Sequence, residues 1–275
     1  MRITSFFTLL LLGLFIVSCG GATETMENVA EDAMDKAGET MDKAGDMMSG
    51  EAVTISPMPA TQEFPDAAIT DWQYKGGKFM YTTTGYEFAQ QTPDADALMC
   101  ANSGKGQHAH LIINNEPYIA KYEPTFEQAL PDGDHYILTF LSRSYHESIK
   151  TDAAHRAVMA TVKDGAFAST TDIEEPMLFY SRPKGSYVGK ANTENIMLDF
   201  YPVNVTLGED GYMVKAEVNG KESFDITEWR PFYLKGLPMG ENTVKLTLMK
   251  DGKAVEAPLN PVTRTFTVEA LPTGE

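Results

Sequence analysis

Two histidines, His108 and His110, lie one residue apart at the start of the apolar run "HAHLIIN". If this run forms a β-strand, its side chains alternate between two faces, so both imidazoles share one face. Ala109 and Leu111 then point to the opposite face, towards a core. Two imidazoles at this spacing can bind one metal ion when further ligands lie nearby. The alternative is a polar strand end whose surface histidines are held by hydrogen bonds.

A third imidazole is expected from the stretch "SRSYHES", which follows the apolar run "HYILTFLS" at residues 135–142. We assign the two apolar runs to strands C and F of an immunoglobulin-like sheet, which are antiparallel neighbours. The start of strand C then lies beside the end of strand F. The assignment predicts that His146 meets His108 and His110.

Two more candidate ligands, Cys100 and His155, lie in loops at the same end of this sheet. Imidazole and thiolate ligands suit copper and zinc. The sequence therefore offers a copper or zinc site as one hypothesis, and it indicates no other cofactor.

The first 19 residues indicate export and lipid attachment. Arg2 precedes the apolar segment "FFTLLLLGLFIV", which is too short to span a bilayer and is typical of a signal peptide. The following "SCG" resembles the lipobox of bacterial lipoproteins. This resemblance implies a signal peptide at 1–18, lipidation of Cys19 and a membrane anchor in the cell envelope, on the periplasmic side or at the cell surface. An ordinary signal peptide with a chance cysteine is the alternative.

Acidic residues dominate the chain, which carries a formal net charge of −17. Residues 19–57 contain the repeat "MDKAG" twice and few apolar residues other than methionine and alanine, a composition typical of a flexible acidic tether. The negative charge argues against nucleic acid as a partner, because nucleic-acid binding requires clustered lysine and arginine.

Beyond residue 57, short apolar runs alternate with turn residues, and no long segment has helical periodicity. The run "LPDGDHYILTFL" in the first half matches "LPMGENTVKLTL" in the second half. We therefore predict an all-β fold of two tandem immunoglobulin-like sandwiches, at 58–168 and 169–275. The boundary is placed in the polar segment 164–176, which shows no strand pattern.

Two family resemblances bear on this fold. The His-x-His strand followed by a strand after a glycine turn resembles envelope sandwich domains of the copper-resistance or DUF4399 type, which implies copper or another soft divalent ion as a ligand. The runs "QTPDADALMCANSGKGQHAHLIINNEPY" and "LFYSRPKGSYVGK" resemble envelope lipoproteins of Bacteroidota, some of which are labelled phosphopeptide-binding proteins. That second resemblance implies no specific activity.

Two basic segments are candidate anion sites. The fragment "SRSYH" resembles part of forkhead-associated phosphopeptide-binding domains, which implies that Arg143 and Ser144 clamp a phosphoryl group. The preceding Gly-Arg element of that family is absent here. In "SRPKGSYVGK", Arg182 and Lys184 could bind a carboxylate or a phosphate, and a solvated turn between the domains is the alternative.

No motif of a serine hydrolase, zinc protease or P-loop enzyme is present in the sequence. We therefore predict a non-enzymatic lipoprotein that binds an unknown envelope protein or small ligand. Metal binding through the histidines and phosphopeptide binding are the alternatives.

Overall fold

Alternation of apolar and polar side chains between turn residues produces a fold made almost entirely of β-strands. The structure, a computed structural model, describes residues 52–271. The strands are β1 (Thr54–Pro57), β2 (Ala68–Lys75), β3 (Lys78–Thr84), β4 (His108–Ile113), β5 (Ile119–Lys121), β6 (Thr125–Glu127), β7 (Gly133–Ser142), β8 (His155–Lys163), β9 (Ala166–Asp172), β10 (Met177–Arg182), β11 (Gly185–Val188), β12 (Ile196–Val203), β13 (Tyr212–Val218), β14 (Glu222–Ile226), β15 (Phe232–Lys235), β16 (Gly240–Lys250), β17 (Lys253–Ala254) and β18 (Val262–Glu269). Within residues 52–271, a short helix, α1 (Lys190–Thr193), and two 3-10 turns, Ala95–Ala97 and Asp152–Ala154, lie between strands.

The first sandwich packs the sheet β2-β3-β6 against the sheet β5-β4-β7-β8-β9. Its core includes the inward side chains of β4, Ala109 and Leu111, together with Phe79 and Ile137. Strands β4 and β7 pair antiparallel, as predicted for strands C and F.

The second sandwich repeats this order with the sheets β1-β15-β12-β10 and β11-β18-β16-β13-β14, and β17 pairs with β16. Strand β10 pairs with β12, whereas β11, which follows it directly, pairs in parallel with β18 of the opposite sheet. A first strand that switches between sheets is a feature of immunoglobulin-like sandwiches. The predicted fold class, all-β with two immunoglobulin-like sandwiches, is confirmed.

The two sandwiches contact each other through the outer face of β4 and β7 and the outer face of β10 and β12. Ile112 and Phe140 pack there against Phe179 and Tyr201 in one buried cluster, and the rings of Phe140 and Tyr201 stack with centroids 5.6 Å apart. The face of β4 that carries the two histidines is therefore covered by protein. The described residues, 52–271, belong to one compact unit.

Both predicted boundaries of the first sandwich are wrong. Residues 54–57, assigned to the tether, form β1 at the edge of the second sandwich, where they pair with β15. Residues 166–172, assigned to a strandless linker that starts the second sandwich, form β9 beside β8 in the first. β1 is too short to show periodicity. β9 is an edge strand with mostly exposed side chains, so it lacks an apolar pattern.

The signal peptide at 1–18, the lipidated Cys19 and all but the last few residues of the tether at 19–57 lie outside the described residues. Within residues 52–271, no helix is long and apolar enough to cross a bilayer.

Deleting β1 should destabilise the second sandwich. Val53 and Met58, which flank the strand, are 6% and 1% exposed, and burial of one such side chain contributes about 2 kcal/mol. We expect a chain that begins at Pro59 to lose at least about 3 kcal/mol of unfolding free energy relative to one that begins at Gly50. Urea denaturation measures the difference. Thr54→Ala, at an exposed position of β1, is the control. Equal stability of the two chains would show that β1 does not belong to the folded unit.

Candidate metal centre

Strand pairing and one tight turn bring three histidines together. The register of β4 and β7 places His108 opposite Ser142, the last residue of β7. The chain then turns: the amide of His146 donates to the carbonyl of Arg143 at 2.9 Å, and the amide of Arg143 donates to the carbonyl of Glu147 at 2.9 Å. His146 has a φ of 72°, a left-handed conformation that is uncommon for residues other than glycine. Such conformations cluster at functional sites.

The ring nitrogens of the three histidines converge. His108 Nε2 lies 3.0 Å from His110 Nε2 and 2.9 Å from His146 Nδ1. One nitrogen from each ring lies within 4.8 Å of the other two. Nitrogen ligands about 2.0–2.1 Å from a tetrahedral ion are roughly 3.3 Å apart, so small side-chain movements create a metal site. The structure thus places His146 beside His108 and His110, where the sequence predicted it.

The protonation of His108 leaves a lone pair directed at the other two rings. Its Nδ1 lies 2.8 Å from the carbonyl oxygen of Gly106. A carbonyl only accepts hydrogen bonds, so Nδ1 carries the proton and Nε2 of the neutral ring is an acceptor. This arrangement matches metal-binding histidines, which donate their second ring nitrogen to a carbonyl or a carboxylate.

Hydrogen bonding cannot satisfy all three converging nitrogens. The single lone pair of His108 Nε2 faces both His110 Nε2 and His146 Nδ1, and it can accept one good hydrogen bond. Tyr118 Oη lies 3.4 Å from His146 Nδ1 and accepts a hydrogen bond from Arg182. His110 and His146 therefore compete for one acceptor on His108, whereas a cation between the rings can take a lone pair from each imidazole.

The three imidazoles of His108, His110 and His146, here called the triad, are held neutral. His108 and His110 are both 0% exposed, and His146 is partly buried. Burial lowers the pKa of His108 to about 4, although its hydrogen bond to Gly106 opposes the shift. Burial also lowers the pKa values of His110 and His146 well below 6.5. Neutral imidazole is the form that binds metal ions. The alternative of surface histidines at a polar strand end is therefore wrong.

Two aromatic rings of the first sandwich pack against the triad. The ring of Tyr118 stacks on His110 with centroids 3.7 Å apart and planes 6° apart. Tyr122 lies against His108, with ring centroids 4.7 Å apart. These rings pack against two of the imidazoles and hold them in place, while His146 is the partly exposed member of the three.

The second sandwich contributes two cations that contact Tyr118. Arg182, predicted as an anion ligand, is 4% exposed and donates to the hydroxyls of Tyr118 at 3.1 Å and Tyr187 at 2.8 Å. Lys184 Nζ donates to the carbonyl of Tyr118 at 2.6 Å and lies 4.0 Å from its ring centroid. The alternative of a solvated turn is wrong, and both residues belong to the surroundings of the triad.

Arg143 and Ser144, predicted to clamp a phosphoryl group, have structural roles instead. The guanidinium of Arg143 is buried and donates to the backbone carbonyls of Gln62 and Ser148. Ser144 exchanges hydrogen bonds with Thr92 and is 0% exposed. These contacts stabilise the turn that carries His146, and they leave neither side chain available to a phosphoryl group.

Cys100 and His155 do not join the triad. Cys100 is buried beside Tyr145 and Tyr233 in a separate cluster, and burial raises the pKa of its thiol to about 11, so it stays protonated. The ring of His155 packs against Tyr201 at 4.8 Å. Among the described residues, the one group of three or more histidine, cysteine or acidic side chains within ligand distance is the triad.

Sequence reasoning missed Tyr118 as a partner of the triad. Its ring reaches His110 from the loop before β5 and connects Arg182 to His146. No local pattern marks the residue. The signal that could have found it is the antiparallel pairing of β5 with β4, which brings the segment after the turn at Asn114 back beside His110.

Comparisons with known proteins return solved structures of low sequence identity and low TM-score. No family model matches the chain, and no curated protein matches it. Fibronectin(III)-like modules of Clostridium thermocellum CbhA are 16% identical over 34% of this chain and 99% of theirs, with a TM-score of 0.25. SGBP-B of the Bacteroides ovatus mixed-linkage glucan utilization locus, solved with a mixed-linkage heptasaccharide, is 11% identical over 80% of this chain and 71% of its own, with a TM-score of 0.21.

Proposed function

We propose that this protein is a non-enzymatic metal-binding protein that holds one copper or zinc ion between His108, His110 and His146. The observation that carries the proposal is the convergence of one nitrogen from each imidazole within 4.8 Å. Copper and zinc both accept three imidazole ligands. The lipobox-like sequence at Cys19 supports attachment to an envelope membrane, which would place this site outside the cytoplasm.

The surroundings of the triad support binding of an ion. The turn that presents His146 is stabilised by the buried contacts of Arg143 and Ser144, so the third ligand is held before any ion arrives. Preorganised ligands bind more tightly because they lose less conformational freedom on binding. His146 is the one partly exposed histidine of the three, so we expect an ion to enter and leave from its side of the site.

Metal titration tests the proposal. The compact unit from Gly50 onward, stripped with a chelator, is titrated by calorimetry with Zn(II), with Cu(II), and with Cu(I) under anaerobic conditions. We expect at least one ion to bind at one per chain with a dissociation constant of about 1 μM or tighter, equivalent to about −8 kcal/mol. Native mass spectrometry checks the stoichiometry. Absence of binding by all three ions at about 100 μM would overturn the proposal.

A further inference from the structure

The charges around the triad are positive. Arg182 and Lys184 both contact Tyr118, the residue whose ring stacks on His110 and whose hydroxyl lies 3.4 Å from His146. Both cations therefore lie against the residue that packs directly on the triad. Glu147, the acidic residue next to His146 in the chain, lies 3.6 Å from the guanidinium of Arg143, so its charge is paired. An ion in the triad meets the positive charges of Arg182 and Lys184.

Coulomb repulsion scales with the product of the charges. Arg182 and Lys184 therefore repel a divalent ion twice as strongly as a monovalent ion at the same position. Arg182 is buried at 4% exposure, so solvent screens its field weakly. Sites built for divalent ions commonly offset this cost with carboxylate or thiolate ligands. This triad offers only neutral nitrogens.

The number of available ligands also favours a monovalent ion over Cu(II). Cu(II) favours square-planar or tetragonal coordination with more than three ligands, whereas the described residues bring three nitrogens together here. Tyr118 and Tyr122 cover two sides of the triad, so an additional water ligand would have to approach from the side of His146. Zn(II) tolerates three histidines with one water, but it retains its full double charge.

We infer that the triad takes the monovalent cuprous ion in preference to divalent ions, with Arg182 and Lys184 as the groups that set this preference. The inference rests on the proposed metal-binding function and specifies the charge of the ion. Arg182 and Lys184 do not ligate the ion. They act through the electric field in the space next to Tyr118, which raises the free energy of a divalent ion more than that of a monovalent ion.

The first test compares ions on the wild-type compact unit in chloride-free buffer. Cu(I) affinity is measured anaerobically by competition with bicinchoninate, and Zn(II) affinity by competition with a chromophoric chelator. We expect Cu(I) to bind about 100-fold or more tightly than Zn(II). Zn(II) carries one more positive charge than Cu(I), and both Arg182 and Lys184 repel that extra charge. Zn(II) binding as tight as Cu(I) binding would overturn the inference and leave the proposed function intact. Failure of Cu(I) to bind would overturn the inference, and failure of Cu(I), Zn(II) and Cu(II) to bind would overturn the proposed function as well.

The second test changes the field without touching a ligand. Lys184→Gln removes one positive charge, and we expect Zn(II) affinity to rise about 10-fold and Cu(I) affinity about 3-fold, a twofold difference on the logarithmic scale. Lys184→Glu changes the charge by two units. It should raise the Zn(II) affinity about 100-fold and the Cu(I) affinity about 10-fold. Lys253→Gln, at an exposed position of β17, is the matched control and should change neither affinity.

The ratio of the two responses separates an electrostatic effect from a structural one. A distorted site loses affinity for both ions, and a repacked Tyr118 alters both by similar factors. Equal changes for Zn(II) and Cu(I), or no change in either Lys184 variant, would show that these cations do not select the ion.

Discussion

Replacing any one of His108, His110 and His146 with alanine should lower the affinity for the bound ion at least about 100-fold. Changes to groups that only orient metal ligands already cost about 10- to 100-fold, so loss of a ligand is expected to cost more. Zinc sites in proteins use at least three protein ligands, so two imidazoles leave such a site incomplete, and a cuprous ion held by three imidazoles loses one of its bonds. Calorimetric titration of each variant measures the loss, beginning with His146→Ala because that residue lies in a turn at the edge of the fold.

The control for this prediction is His155→Gln. His155 was a candidate ligand in the sequence, but its ring packs against Tyr201 and lies outside the triad. We expect this variant to keep wild-type affinity. Circular dichroism of every variant shows whether the sandwiches remain folded. Unchanged metal affinity in a folded His146→Ala protein would contradict a three-histidine site.

Acid should destabilise the metal-free protein strongly between about pH 6.5 and pH 4. The pKa of His108 is about 4 in the folded state and about 6.5 in the unfolded chain. Because the folded pKa is the lower one, the unfolded state binds more protons in this window, and the unfolding free energy falls as the pH falls. The contribution of neutral His108 to the unfolding free energy is fully present above about pH 6.5. Its loss lowers the unfolding free energy by about 3 kcal/mol at pH 4. His110 and His146 act in the same direction.

Urea denaturation at a series of pH values measures this loss in protein treated with a chelator. The variant His108→Gln lacks the titrating ring, so its stability should fall by about 3 kcal/mol less between pH 7 and pH 4. A saturating bound ion should also delay the loss, because protons must displace it from the imidazoles. If wild type and His108→Gln lose the same stability over this range, then His108 is not held neutral by burial.

The core of the candidate site could be predicted from local patterns. Alternation along "HAHLIIN" places His108 and His110 on one face, and this depends only on the geometry of a strand. Pairing of strands C and F then brings the chain after β7 back beside His108, because neighbouring antiparallel strands have opposite ends adjacent. One correct strand pairing was therefore enough to place His146.

Other features depended on contacts between distant parts of the chain. The sequence indicated β1 poorly because its partner β15 lies some 180 residues away, and four residues at a sheet edge show no periodicity. Arg143 and Ser144 matched a phosphate-binding fragment, but whether their donors are free depends on Gln62 and Thr92, which reach them from distant loops.

By itself, the sequence determined most of the strands, the two-sandwich architecture and the common face of His108 and His110, because each of these follows from short-range alternation and turn chemistry. Only the tertiary structure decided that this face is buried under the second sandwich, with Arg182 and Lys184 beside Tyr118. The physical reason is that burial and electric field are sums over neighbours in space. Those neighbours come from a separate sandwich whose docking no local pattern encodes.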